Sequence, residues 1–294
     1  MDASSRRRLS PAELRRLQLA LGRDAVDPAA NLFGPDSPTW RINREGVILL
    51  GGGCALLMQV AHPLVAAGVG AHSRYRDEPL QRLWRTLELM LTIVFASAAD
   101  AVRAACAIDR AHARVHGRLA ESAGPFARGT PYRANDPELQ LWVHATLVDT
   151  AVRVYELFLA PLPQQIKAAY YEESKVTGRL LGIPDSVLPR DWRAFRAYIR
   201  RMIESDVLAV SAASRDIAAS VFVPSLSVGV RQVFQIPNFV TVGLLPEPLR
   251  RRYGYRWSAG RDLAVSTAAT MSQLVMPWLP DLLRVIPRAR RVAA

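Results

Sequence analysis

The chain is 294 residues long and half hydrophobic, enough for a sizeable core in one large domain or two ordinary ones. Two cysteines, Cys54 and Cys106, exclude a disulfide framework or a cysteine-rich zinc module, and both read as small core residues compatible with a reducing cytoplasm. The net charge of +12, mostly arginine, comes without a helix-turn-helix, RNP or zinc-finger pattern, so nucleic acid is not the expected partner.

The opening MDASSRRRLSPAELRRLQLALG lacks the apolar stretch of a secretion signal, which predicts a cytoplasmic protein. Its arginines, with Arg288, Arg290 and Arg291 near the other end, leave peripheral contact with an anionic membrane open. A short amphipathic helix over Arg6–Leu21 takes Ser10 as N-cap and Pro11 at its first position. Residues 27–40 read as loop. A helix over Glu45–Ala61 breaks at His62, because Pro63 lacks a backbone donor, and resumes over Pro63–Ala71. This apolar stretch carries Gln59 and His62, which are costly in lipid, and reads as a buried helix pair.

Asp77-Glu78-Pro79 starts a helix running to Phe95, and Ala98–Arg118 is the next, followed by a Gly/Pro loop to Asp136. Asp136-Pro137 caps a long helix to Leu159. Helices over Pro163–Leu181, Pro189–Val210 and Ser214–Phe222 follow, then an ambiguous Pro224–Pro237 and two or three helices after Pro246. No repeat and no strand–helix alternation is present. The expected fold is all-α, a single domain of about eight to twelve helices: a 1–40 extension, a 41–240 core, and C-terminal helices over 241–294 packing on that core.

All five histidines, His62, His72, His112, His116 and His144, fall between residues 62 and 144 in apolar, helix-like sequence. Buried neutral imidazoles serve as metal ligands or proton carriers, or simply as hydrogen-bonded core groups. His112 and His116 stand four apart, a spacing that could chelate one metal on a helix, but the glutamate of HExxH is absent. His144 lies five residues before Asp149, a spacing that often marks a hydrogen-bonded orienting group in a core. Arg82 and Thr86 share a face beside the stripe Leu83, Leu87, Met90 and Leu91. An arginine so placed needs a carboxylate, either a cofactor's or a protein residue's such as Glu45 or Asp149. GxSxG, P-loop and GxGxxG motifs are absent, and GGGC at 51–54 lacks the residues of a phosphate loop.

The ordered series REGVILLGGGCALLMQVAHPLVAAGVGAHS, Arg-x-x-x-Thr at Arg82–Thr86, HARVHG at 112–117 and PYRANDPELQLWVHATLVDT resembles the family of bacterial latex-clearing proteins and the fungal mycophenolic-acid-pathway oxygenase. The resemblance runs from about Arg44 to Pro237. It implies a globin-like helical core holding one haem b, with His112, in its H-A-R-V context, as the axial iron ligand. It also implies Arg82 and Thr86 at the cofactor and catalytic site, and His144 at the cofactor but off the iron. One departure stands out: the family's rubber-cleaving members place a glutamate upstream of the arginine, whereas Gln59 to Arg74 contains no carboxylate. His62 or His72 could supply the base, and His72, at the polar end of its helix, is the better placed.

The expected function is therefore a haem b oxidoreductase, an oxygenase using dioxygen on an apolar small molecule rather than polyisoprene. Two other readings stay open. One is a non-haem metal-dependent hydrolase built on His112, His116 and His144. The other is a non-catalytic helical binding protein with core histidines.

Overall fold

The computed structural model describes residues 9–72, 79–222 and 235–293, without the side chains of 79–84, 221–222, 235–236 and 291–293. Helix α1 (Pro11–Leu21) opens with a capping box: Ser10 Oγ accepts from Glu13 N at 3.3 Å, and Glu13 Oε2 accepts from Ser10 N at 2.8 Å. Gly22, at φ 66°, closes it. Part of the expected 27–40 loop is helical. Ser37 caps α2 (Pro38–Asn43), accepting from Trp40 N at 3.1 Å, so the Ser-Pro pair is a helix start rather than a turn.

The expected Glu45–Ala61 helix is divided. Gly46–Gly51 is a 3₁₀ turn and only α3 (Gly52–Val60) is α-helical. The glycines here serve close packing. A Cβ on Gly51 would stand 2.6 Å from Thr150 Cγ2, and one on Gly53 would collide with Thr241 Oγ1. Helix α4 (Pro63–His72) turns away by 106° after the break at His62. His62 caps it, its Nδ1 accepting from Leu64 N at 3.3 Å. Among the described residues no single helix is long and apolar enough to cross a membrane; only this bent pair passes that test, by length and composition.

Helices α5 (Pro79–Phe95) and α6 (Ala98–His112) pack on each other. The expected helix to Arg118 stops short, and the loop after it contains a hairpin of β1 (His116–Arg118) antiparallel to β2 (Pro131–Arg133). Asp136 then caps α7 (Pro137–Phe158), accepting from Glu138 N at 2.9 Å. Next come α8 (Gln164–Leu180), α9 (Trp192–Glu204) and α10 (Ala212–Phe222). The remainder comprises α11 (Gln235–Leu244), α12 (Glu247–Tyr253), α13 (Ala259–Val275), the 3₁₀ turn Met276–Trp278, α14 (Asp281–Arg284) and α15 (Pro287–Ala293). Much of the ambiguous 224–237 stretch lies outside the described residues. Short pieces between prolines and glycines bring the described α-helices to fifteen, above the expected eight to twelve.

The fold is all-α, one domain, with α7 at its centre. It packs against α3, α8, α9, α11 and α13. Leu57 and Met58 of α3 are fully buried, worth about 1.5–3 kcal/mol each as apolar burial. Two polar ties fix the same turn of α3: Trp142 Nε1 donates to Met58 O at 3.1 Å, and Tyr253 Oη to Leu57 O at 2.7 Å.

Candidate functional site

His112 is the last residue of α6, and the chain turns at Ala113 and Arg114 into β1. The turn is pinned by Val115 N donating to His112 O at 2.8 Å and Ala134 N to Val115 O at 2.9 Å. His112 and His116 are therefore not a helical i, i+4 pair, a correction to the spacing argument. Both still line one cavity, of about 410 Å³, with Ala113, Val115, Arg133 and Asn135. This volume lies within the range of small-molecule and cofactor sites. The hairpin supplies Arg133, directly opposite His116 in the strand register. Gly117 and Gly68 allow that approach. A Cβ on Gly117 would stand 2.7 Å from Tyr132 Oη, and one on Gly68 3.2 Å from Val115 Cγ1.

The electrostatics of His112 favour a neutral ring. Burial lowers its pKa below the ordinary value, and the Asp109 carboxylate only partly opposes this. Its Nδ1 is buried with no hydrogen-bond partner among the described residues. So is Asn135 Oδ1 in the same cavity wall. The other end of Asn135 is held: Nδ2 donates to Asp109 Oδ1 at 3.3 Å. Arg16 Nη1 donates to Asp109 Oδ2 at 3.2 Å, and Arg16 Nε to Leu180 O at 2.8 Å. This Arg16–Asp109–Asn135 chain ties α1, α6 and α8 behind the cavity. Asp109, Arg133 and Asn135 were not singled out from sequence, although Arg133 and Asn135 stand in the PYRANDPELQ string.

His72 ends α4, exposed, with Nε2 at 3.1 Å from His116 O. A carbonyl only accepts, so Nε2 carries the proton and Nδ1 is the acceptor nitrogen of the ring. This places His72 next to the cavity. Thr86 is exposed on α5, and the Arg82 side chain lies outside those described. Both carboxylates considered as protein partners of Arg82 hold other arginines. Glu45 takes Arg284 through two hydrogen bonds, at 2.6 and 2.8 Å, and Asp149 takes Arg196 and Arg153.

His144 is not on the cavity wall. It is buried against α8, with its ring at the Ser174 backbone and close to Gly178, and burial drives its pKa down to about 4. The expected pairing with Asp149 is replaced by that backbone contact, since Asp149 is engaged by arginines. His62, likewise lowered to about 4 by burial, packs its ring 5.2 Å from that of Phe126. Among the described residues, no group of three or more His, Cys, Asp or Glu is arranged to hold a metal ion, so His112, His116 and His144 do not form a three-ligand centre. A haem needs only one protein nitrogen on its iron. One neutral imidazole on a cavity wall, with an arginine on the same wall, fits that requirement.

Residues 39–274 match the family described as ER-bound oxygenase mpaB/B'/Rubber oxygenase, catalytic domain. Every cavity residue and His72, Arg82, Thr86 and His144 fall inside the match. The chain is 28% identical over 242 residues to an uncharacterized protein of Mycobacterium bovis and, at the same identity, to one of Mycobacterium tuberculosis. Each alignment covers 79% of this chain and 86% of the relative. No solved structure matches the chain.

Proposed function

The chain belongs to the family of ER-bound oxygenase mpaB/B' and rubber oxygenase catalytic domains, and from that premise we propose that it is a haem b-dependent oxygenase acting with dioxygen on an apolar small molecule. His112 is proposed as the residue that holds the haem iron. The observation that carries this reading is the His112 ring itself. It is kept neutral by burial and lies on a cavity wall, and its Nδ1 is buried with no hydrogen-bond partner among the described residues.

Bound haem b would supply redox-active iron for dioxygen chemistry. The chain's own residues would bind, orient and move protons. His112 offers a neutral nitrogen without first losing a proton, and Asn135 Oδ1 is a buried acceptor that would orient the ring through its remaining N–H. Arg133, on the cavity wall, is a cation suited to a propionate, and Arg82 with Thr86 is proposed to serve the same group from α5. His72 is proposed as the base, taking a proton at Nδ1 while its Nε2–H stays on the His116 carbonyl. His144 is proposed to act at a distance, by seating α7 on α8.

The test is oxygen uptake by haem-loaded protein offered a panel of apolar small molecules. Uptake that needs both the haem and one of these substrates supports the proposal. Uptake that is the same without haem, or none with any substrate, rejects it.

A further inference from the structure

The C-terminal helices carry an apolar surface for which the oxygenase reading has no use. From 263 to 280 the sequence has no charged residue for eighteen positions, bounded by Asp262 and Asp281. One face of α13 is seated: Val265 and Ala269 are buried, and Ser272 Oγ donates to Phe158 O at 2.8 Å. Gln273 Nε2 adds bonds to Glu156 O at 3.2 Å and Leu157 O at 3.1 Å. The apolar residues on the opposite side are open: Leu263 is 68% exposed, Met271 55% and Leu274 62%. The surface continues past the helix through Trp278, 87% exposed, to Leu282 and Leu283, 69% and 71% exposed. Large exposed apolar patches mark interaction sites.

The charge around the patch selects the partner. Residues 250–294 hold nine arginines and two aspartates, in a chain whose net charge is +12. Arg256 and Arg261, both exposed, precede the charge-free run, while of the arginines that follow it Arg284 is paired with Glu45 and Arg288 with Glu88. A second copy of this face would bring like charges together. An anionic bilayer would meet both features, taking the leucines and Trp278 into the headgroup–acyl boundary while the exposed Arg256 and Arg261 face phosphates. The anchor is also remote from the cavity. The bonds from α13 go to the C-terminal end of α7, whereas Asn135 lies just before its N-terminus, and a 22-residue helix spans about 33 Å.

We infer that the α13–α14 surface centred on Trp278 docks the protein peripherally on anionic membrane. The inference does not depend on haem. It is tested by co-sedimenting the full chain with vesicles of phosphatidylcholine, with and without a third of phosphatidylglycerol. The expected result is about tenfold tighter binding to the anionic vesicles, weakened by salt. The double variant Trp278→Glu, Leu282→Glu should lose at least about tenfold of that binding with an unchanged melting temperature, since both side chains are exposed. A second readout is the blue shift of tryptophan emission on anionic vesicles, which Trp278→Phe should diminish. The inference is overturned by absence of binding to anionic vesicles, or by undiminished binding of the double variant. It is equally overturned if sedimentation velocity shows a dimer that the double variant abolishes, which would make a second copy the occupant.

Discussion

His112 Nδ1 and Asn135 Oδ1 are two buried polar atoms in the wall of one cavity, and neither has a hydrogen-bond partner among the described residues. Leaving such groups unpaired costs about 1–3 kcal/mol each. One can donate and the other accept, so a ring turned to give its other nitrogen to iron would find its orienting acceptor in Asn135. Groups behind a metal ligand typically contribute ten- to a hundredfold in affinity. Asn135→Ala is therefore expected to weaken haem binding by about that factor, measured by haem titration. Unchanged affinity would remove Asn135 from the site.

Arg82→Ala is expected to lower both haem occupancy and melting temperature, since the two acids considered as its protein partners, Glu45 and Asp149, hold other arginines. Arg133→Ala, at an exposed strand position, is expected to lower haem occupancy with little change in the stability of the haem-free protein. The measurement is haem content per protein beside a thermal melt. Full haem content in both variants would contradict the assignment of either arginine to a propionate.

The helices were legible wherever a cap and a long apolar period coincide, as at Ser10-Pro11 and Asp136-Pro137. The stop at His112 was not, because AHARVHGRL keeps helical composition to Arg118. What ends α6 is long-range pairing of residues 116–118 with 131–133, beyond the reach of local propensity. The 3₁₀ turn at 46–51 has a similar origin, Gly51 being pressed against Thr150 of α7. Of the residues that line the cavity, His112 and His116 stood out in the sequence as histidines four apart. Arg133, Asn135 and Asp109 come from separate elements, and only the hairpin and the end of α6 bring them together.

Acid should destabilise the fold through His62 and His144. Burial lowers both from an ordinary 6.5 to about 4, so the unfolded chain binds more protons than the folded one between those values. Their contribution is complete above about pH 6.5 and falls as the pH drops toward 4, by roughly 3 kcal/mol for each ring. His144→Gln should shrink the fall in melting temperature between pH 7 and 4.5. An equal fall in variant and parent would contradict the buried neutral assignment.

Polyisoprene is not the expected substrate. No carboxylate lies between Gln59 and Arg74, His62 is occupied as the cap of α4, and His72 is the proposed base. General-base assistance is typically worth about 10²–10⁴-fold, so His72→Ala should slow oxidation of a good apolar substrate by that order. Haem-loaded protein incubated with latex under oxygen should release no oligoisoprenoid aldehydes or ketones. Their formation at rates like those of a rubber oxygenase would refute the substrate assignment.

The most direct test of the account is the visible absorption spectrum of the purified protein loaded with haem b, taken for the parent, His112→Ala and His116→Ala. The account predicts a Soret band and stable haem for the parent and for His116→Ala, and loss of haem from His112→Ala. No Soret band in the parent, or haem lost equally from both variants or from His116→Ala alone, would contradict it.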